Sequence, residues 1–237
     1  MADEGFSAWF SKKKQYTIES FLTPNQALFC CGVAVASFAA GFQCSRLGVA
    51  LRRYTSGHAI PQSIIDDGNH WLRGRVVSVS DGDTFRLRHA PSILHSSRLP
   101  PDEKLSTSTI PVRICTIDTP ETAKFGKPGQ LFGEEAKQYL TDLILDKTVK
   151  IRPLHRDQYG RVVAEVYRWP NIYPDVRLLK MGLAEVYQGS GAVHGRLGKE
   201  AYAALQKAAQ QKKGIWSLQG KRESASAYKA RMKSGTT

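Results

Sequence analysis

Between Ser20 and Ser45 no side chain carries a charge, and the middle of this run reads ALFCCGVAVASFAAGFQC. A helix drawn on it is apolar around its whole circumference, with no polar face to set against solvent. Leu28 to Cys44 would extend about 26 Å as a helix. A hydrocarbon core of about 30 Å is spanned once the helix begins near Pro24, where Thr23 can cap and proline suits the first turn. The pattern predicts a single transmembrane helix over residues 24–45, behind a short N-terminal segment, residues 1–23. A buried core helix and a cleaved signal peptide are the other readings of such a run. Lys12–Lys14 on one side and Arg46, Arg52 and Arg53 on the other leave the orientation open.

Past this run the pattern turns to alternation. Residues 46–70 read as a linker, and WLRGRVVSVSDGDTFRLRHA (71–90) reads as a hairpin turning at Asp81-Gly82-Asp83. A polar, proline-bearing insertion at 90–109 reads as a mobile loop able to gate access to a site. IPVRICTID (110–118) is a further strand, stopped by Thr119-Pro120. Residues 129–145 have helical spacing, with Leu131, Ala136, Tyr139, Leu140 and Leu143 on one side. KTVKIRPLH and RVVAEVYRW are two more strands joined by RDQYG, and two helices follow, over 175–186 and 195–216. The polar tail, residues 219–237, is expected to be loosely ordered. The count of strands and helices predicts an α+β fold over residues 71–218. It would be a five-stranded β-barrel of the oligonucleotide-binding type with packed helices, preceded by the single N-terminal transmembrane helix.

Charge narrows the partners. A formal net charge of +13 favours phosphate-rich ligands or an anionic membrane surface. Three of the four cysteines lie in the apolar run and only Cys115 lies in the body, which excludes a disulfide-stapled secreted fold. Cys115 is expected to face the core as a small apolar residue. The six histidines are scattered and there is no CxxC pair or HExxH, which argues against zinc.

Four short motifs follow one another through the body: DGDT (81–84), VRICTIDTPET (112–122), FGEEA (132–136) and DQYGR (157–161). In this order they resemble the staphylococcal (micrococcal) nuclease family, over about Arg75 to Trp216. The whole layout is similar to the membrane-anchored, mitochondrion-associated endonucleases of that family described from fungi. Asp83 and Asp118 offer hard oxygen ligands from a turn and a strand end, which suits calcium better than zinc, and the backbone carbonyl of Thr119 completes the protein side of the shell. Pro120 fixes the chain so that Glu121 faces the site, and the resemblance implies that Glu121 is the general base. Arg113 and Arg161 present planar forks that bridge phosphate oxygens. Tyr159 is placed to pack on or hydrogen-bond a bound nucleotide, and Tyr187 alone remains of the family's tyrosine-rich stretch. Each residue has a plainer alternative: an Arg113–Asp118 structural ion pair, a turn role for Asp83, a solvated strand start for Arg161 and packing for Tyr159. Gln158 stands where the family has a lysine, which weakens one expected phosphate contact.

The resemblance implies a calcium-dependent endonuclease that cuts DNA and RNA with low sequence specificity and is held to a membrane by residues 24–45. The alternative is a non-catalytic nucleic-acid-binding or scaffold module of the same fold. Arg113, Asp118, Glu121 and Arg161 are all present, which favours the enzyme. The expected membrane is mitochondrial, with chloroplast and endoplasmic-reticulum membranes as alternatives, and no protein partner is evident.

Overall fold

Period-two burial runs through five strands and turns one face of each toward a common interior. The strands are β1 (Leu72–Asp81), β2 (Thr84–His89), β3 (Ile110–Ile114), β5 (Thr148–Arg156) and β6 (Val162–Tyr167). Val76, Phe85, Leu87, Ile110, Val112, Ile151, Val162 and Ala164 are wholly buried in this interior. In this computed structural model the strands close a barrel in the order β1-β2-β3-β6-β5. Pairing is antiparallel except between β3 and β6, which run parallel. Closure leaves no open sheet edge in the barrel. The structure describes residues 52–234 apart from residues 93, 125, 190, 191 and 193. The barrel and its helices match the expected α+β fold. Among the described residues no helix is long and apolar enough to cross a membrane. The expected span, residues 24–45, lies outside the described residues, as does the segment 1–23.

Helix α3 (Gly133–Ile144) lays Ala136, Leu140 and Ile144 against β1, and Tyr139 and Leu143 pack at the margin of the same core. The helix starts later than its sequence periodicity implied. Phe132, at φ 70°, breaks the chain before it, so Leu131 lies outside the helix and is 69% exposed. Helix α4 (Pro174–Met181) stops at Gly182, which takes the left-handed conformation of a C-terminal cap, rather than running to 186. Released there, the chain forms β7 (Glu185–Val186) and pairs with β4 (Ile117–Asp118). The expected strand 110–118 is therefore two strands in different sheets, separated by Cys115 and Thr116. Cys115 is buried as anticipated, and that burial pushes its thiol up to about 12. Helix α5 (Gly198–Gln210) packs its alanines against α4 and gives way to a 3-10 segment, Gly214–Lys221.

Three further expectations change. The described part of the supposed linker belongs to the body: Tyr54 and Ile60 are buried, and α1 (Gln62–Asp66) packs beside β5. Arg156 fastens this arm by donating to the Gly57 carbonyl at 2.9 Å and to the Ile60 carbonyl. The insertion 90–109 is tied down by Arg88, whose guanidinium reaches Glu103 at 2.5 and 3.1 Å, and contains a single helical turn, α2 (Leu105–Ser108). The polar tail is not loose through Ser234, because it forms α6 (Ala225–Ser234) with Ala225 and Tyr228 buried.

Candidate active site

Gly82 and Asp83 are the two residues of the β1–β2 turn. A Cβ on Gly82 would stand 2.7 Å from the Thr119 hydroxyl and 2.9 Å from Ala136 Cβ, so only glycine lets the turn press onto the chain after β4. That close approach brings Asp83 beside Asp118. Arg113, on β3 opposite Thr84, binds both: its Nη2 lies 3.1 Å from Asp83 Oδ2 and 2.7 Å from Asp118 Oδ1. The two carboxylates and the buried Thr119 are almost closed to solvent. Burial draws the Arg113 guanidinium down, but Asp83 and Asp118 more than offset it and its pKa is raised. Burial also lifts the carboxyl of Asp118 above the usual range, with Asp83 adding to the rise while Lys229 and Arg113 oppose it.

Glu121 follows Pro120 in a loop fixed by Gln130, which accepts from the Glu121 amide at 3.0 Å and donates its own backbone N–H to the Glu121 carbonyl at 2.8 Å. The glycine of the FGEEA motif has a role here. A Cβ on Gly133 would lie 2.5 Å from the Glu121 carbonyl oxygen. Across the site, the Asp157 carboxylate accepts from the backbone N–H groups of Tyr159 and Arg161, each at 2.9 Å. It also takes the Arg161 Nε at 2.6 Å. Arg161 then reaches Thr84 Oγ1 with Nη1 at 3.3 Å, and that hydroxyl donates to Asp83 Oδ1 at 2.7 Å.

Asp83, Arg113, Asp118, Glu121, Tyr159, Arg161 and Tyr187 all line one open cleft of about 690 Å³. Tyr187 lies under Arg113, 5.0 Å from guanidinium carbon to ring centroid, held there because its amide donates to the Thr116 carbonyl at 2.9 Å. Tyr159 is 70% exposed, with the Arg161 guanidinium 5.5 Å from its ring. The ion pair raised as the plain reading of Arg113 and Asp118 does form, but Asp83 shares it and it faces the cleft. Among the described residues, none from 90–109 lines the cleft.

Residues 111–218 match the family described as staphylococcal nuclease homologue. Endonuclease Htp3 of Saprolegnia parasitica is 42% identical over 184 residues, covering 76% of this chain and 85% of that protein. The chain belongs to the staphylococcal nuclease family. A probable endonuclease LCL3 of Clavispora lusitaniae is 35% identical over 232 residues, 93% of this chain and 96% of its own. A namesake from Schizophyllum commune is 37% identical over 222 residues, covering 84% and 75%.

Thr84, Lys124 and Lys229, polar residues of this nuclease site, had no sequence-derived role. Thr84 stands inside the DGDT motif, where its neighbour relations were visible but its bridging hydroxyl was not. Lys124, from the loop after Glu121, places Nζ 2.5 Å from Asp81 Oδ2 at the edge of the cleft. Lys229, from α6, sits 3.1 Å from Asp118 Oδ1 and 2.9 Å from Glu121 Oε1. No spacing rule connects it to the motifs.

The donor set fits a hard divalent cation. The charged partners at Asp83 and Asp118 are already nitrogen cations, and the Lys229 ammonium stands in for a positive ion at Asp118 and Glu121. Among the described residues no three His, Cys, Asp or Glu side chains gather as a metal cluster. With two carboxylates on the protein side, most of the shell would fall to backbone, water and substrate oxygens, which calcium accepts and structural zinc does not.

Proposed function

We propose that this nuclease is a calcium-dependent endonuclease that hydrolyses phosphodiester bonds in DNA and RNA with little sequence preference. In this reading residues 24–45 anchor it in a membrane, that of the mitochondrion. One observation carries the catalytic part: Arg113 grips Asp83 and Asp118 together, while Thr84 links the same Asp83 to Arg161 across a cleft that also holds Glu121. The anchor and its membrane are supported by the uncharged run and by the basic residues that flank it.

Asp83, Asp118 and the Thr119 carbonyl would hold the calcium, which when bound supplies positive charge beside the scissile phosphate. Glu121 takes a proton from the attacking water as its oxygen bonds to phosphorus. Arg113, on β3, and Arg161, immediately before the neighbouring β6, both line the cleft and neutralise the charge that grows on the non-bridging oxygens. Donors of this kind act most strongly on the transition state, because their geometry is fixed before charge develops. As the bond to the leaving sugar oxygen breaks, that oxygen takes a proton from solvent in the open cleft and leaves as the alcohol, while the arginines keep the new phosphate monoester in place. Tyr159 and Tyr187, both in the lining of the cleft, offer faces on which a nucleobase stacks, a contact worth about 1–3 kcal/mol per base and tolerant of sequence.

The deciding experiment is a calcium titration of cleavage by the intact chain, with single- and double-stranded DNA and RNA as substrates. Cleavage of all four that stops on chelation is expected. Activity that survives strong chelation, or that zinc supports equally, would overturn the calcium assignment. Binding without cleavage at any calcium concentration would favour a scaffold module instead.

A further inference from the structure

The calcium reading gives no work to Lys229, which reaches the site from the C-terminal helix α6. Its Nζ lies between two carboxylates with different assigned tasks, 3.1 Å from Asp118 Oδ1 and 2.9 Å from Glu121 Oε1. The helix that carries it is fastened on both sides of the lysine. Tyr228 donates its hydroxyl to the Pro128 carbonyl, and Arg231 forks onto Glu223 with both bonds at 2.8 Å. Gln130 joins this docking to the catalytic loop. Its Nε2 donates to the Glu223 carbonyl at 3.1 Å while its Oε1 holds the Glu121 amide at 3.0 Å. A loose surface lysine would not be positioned by so many neighbours.

Charge counting shows what the ammonium does. Asp83, Asp118 and Glu121 set three negative charges against the two positive charges of Arg113 and Lys229. A divalent ion added with the lysine in place reverses the sign of the cluster, whereas one added as the lysine leaves makes it neutral. The side chain is 40% exposed, so a route to solvent exists for its flexible stem.

We propose that Lys229 belongs to the reaction centre as an internal counter-cation: its ammonium occupies Asp118 and Glu121 until a divalent metal displaces it. Lys229 thereby sets the metal concentration at which the enzyme works. The proposal rests on the reading of Asp118 as a metal ligand and Glu121 as the base. It assigns α6 the task of holding the competing cation in register.

Calcium binding to the intact chain, measured by titration calorimetry without nucleic acid, tests the competition directly. An opposite charge at this distance shifts a carboxylate equilibrium by about one to three powers of ten. Lys229→Met should therefore bind calcium about tenfold more tightly or better, and should gain more than wild type in melting temperature when calcium is added. Lys229→Arg, which keeps the charge, should stay near wild type. Lys233→Met removes the same charge from the same helix, at the cleft margin, and should shift affinity by less than about twofold. Unchanged or weakened calcium binding in Lys229→Met, with binding abolished in Asp118→Asn, would overturn the competition while leaving the metal site standing. Absence of calcium binding in both wild type and Lys229→Met would overturn the metal reading itself, and the competition with it.

Discussion

The Nη1 of Arg161 lies 3.3 Å from the hydroxyl of Thr84. The same hydroxyl donates to Asp83 at 2.7 Å, so one small side chain relates the arginine proposed to grip phosphate to a carboxylate proposed to hold the metal. Thr84→Val keeps the shape of the residue and removes both bonds. Outer-shell partners of this kind are worth about ten- to a hundredfold in activity or metal affinity. We expect kcat to fall within that range and Thr84→Ser to restore most of it. A valine variant with wild-type kcat would show that Asp83 and Arg161 are positioned without the bridge.

Glu121→Gln and Arg161→Ala should each lower turnover far more than substrate affinity. Loss of one donor aimed at developing charge typically costs about a hundredfold to a thousandfold in rate, and steady-state kinetics would place the loss in kcat rather than KM. Arg161→Lys should not rescue. A lysine cannot hold Asp157 with Nε and reach Thr84 with Nη1 at the same time, as the arginine does. Turnover within about fivefold of wild type for both losses would return the two residues to surface decoration.

These contacts also mark where the sequence was legible. The barrel could be read because Phe85, Leu87 and Ile151 alternate with polar neighbours, and a strand's period survives any change of partner. The cluster of Arg113 with Asp118 could be read because five positions separate them on one short stretch of chain. The end of the expected helix over 175–186 was misplaced because apolar spacing continues through Leu183 and Ala184, and the stop at Gly182 depends on its left-handed backbone. Leu131 fits the apolar face of α3 by periodicity alone, yet the positive φ of Phe132 turns the chain before it can join. Lys229 was beyond reach for a different reason. It meets Asp118 across 111 positions, through a helix whose own pattern has no strong apolar face.

The apolar run from Ser20 to Ser45 carries the anchoring proposal. The intact chain should stay in the pellet after alkaline carbonate extraction, while a version starting at Arg52, the first described residue, should be soluble. Val35→Arg should disturb insertion, because a charge near the centre of a spanning helix costs about 2.5–3.5 kcal/mol on the insertion scale. An intact chain that washes off in carbonate would remove the anchor from the proposed function without touching the nuclease site.

Stability against pH should depend on a histidine outside the cleft. His89 is buried at the end of β2, where its Nδ1 accepts the Tyr54 amide at 3.0 Å and its ring stacks on that of Tyr54 at 5.0 Å. Burial, with the nearby Arg53 guanidinium second, lowers its pKa from 6.5 to about 4. The folded form therefore resists a proton that the unfolded chain accepts. The stability this contributes is complete above pH 6.5, declines as pH falls, and is gone below the folded value near 4. At about 1.4 kcal/mol per pH unit, the total is on the order of 3 kcal/mol. His89→Asn keeps an acceptor for the Tyr54 amide but does not titrate. Denaturant unfolding at a series of pH values should give a shallower decline between pH 6.5 and 4 for the variant than for wild type. Parallel curves for the two proteins would show that His89 is protonated as readily folded as unfolded, and that its bond to Tyr54 does not exclude the charged ring.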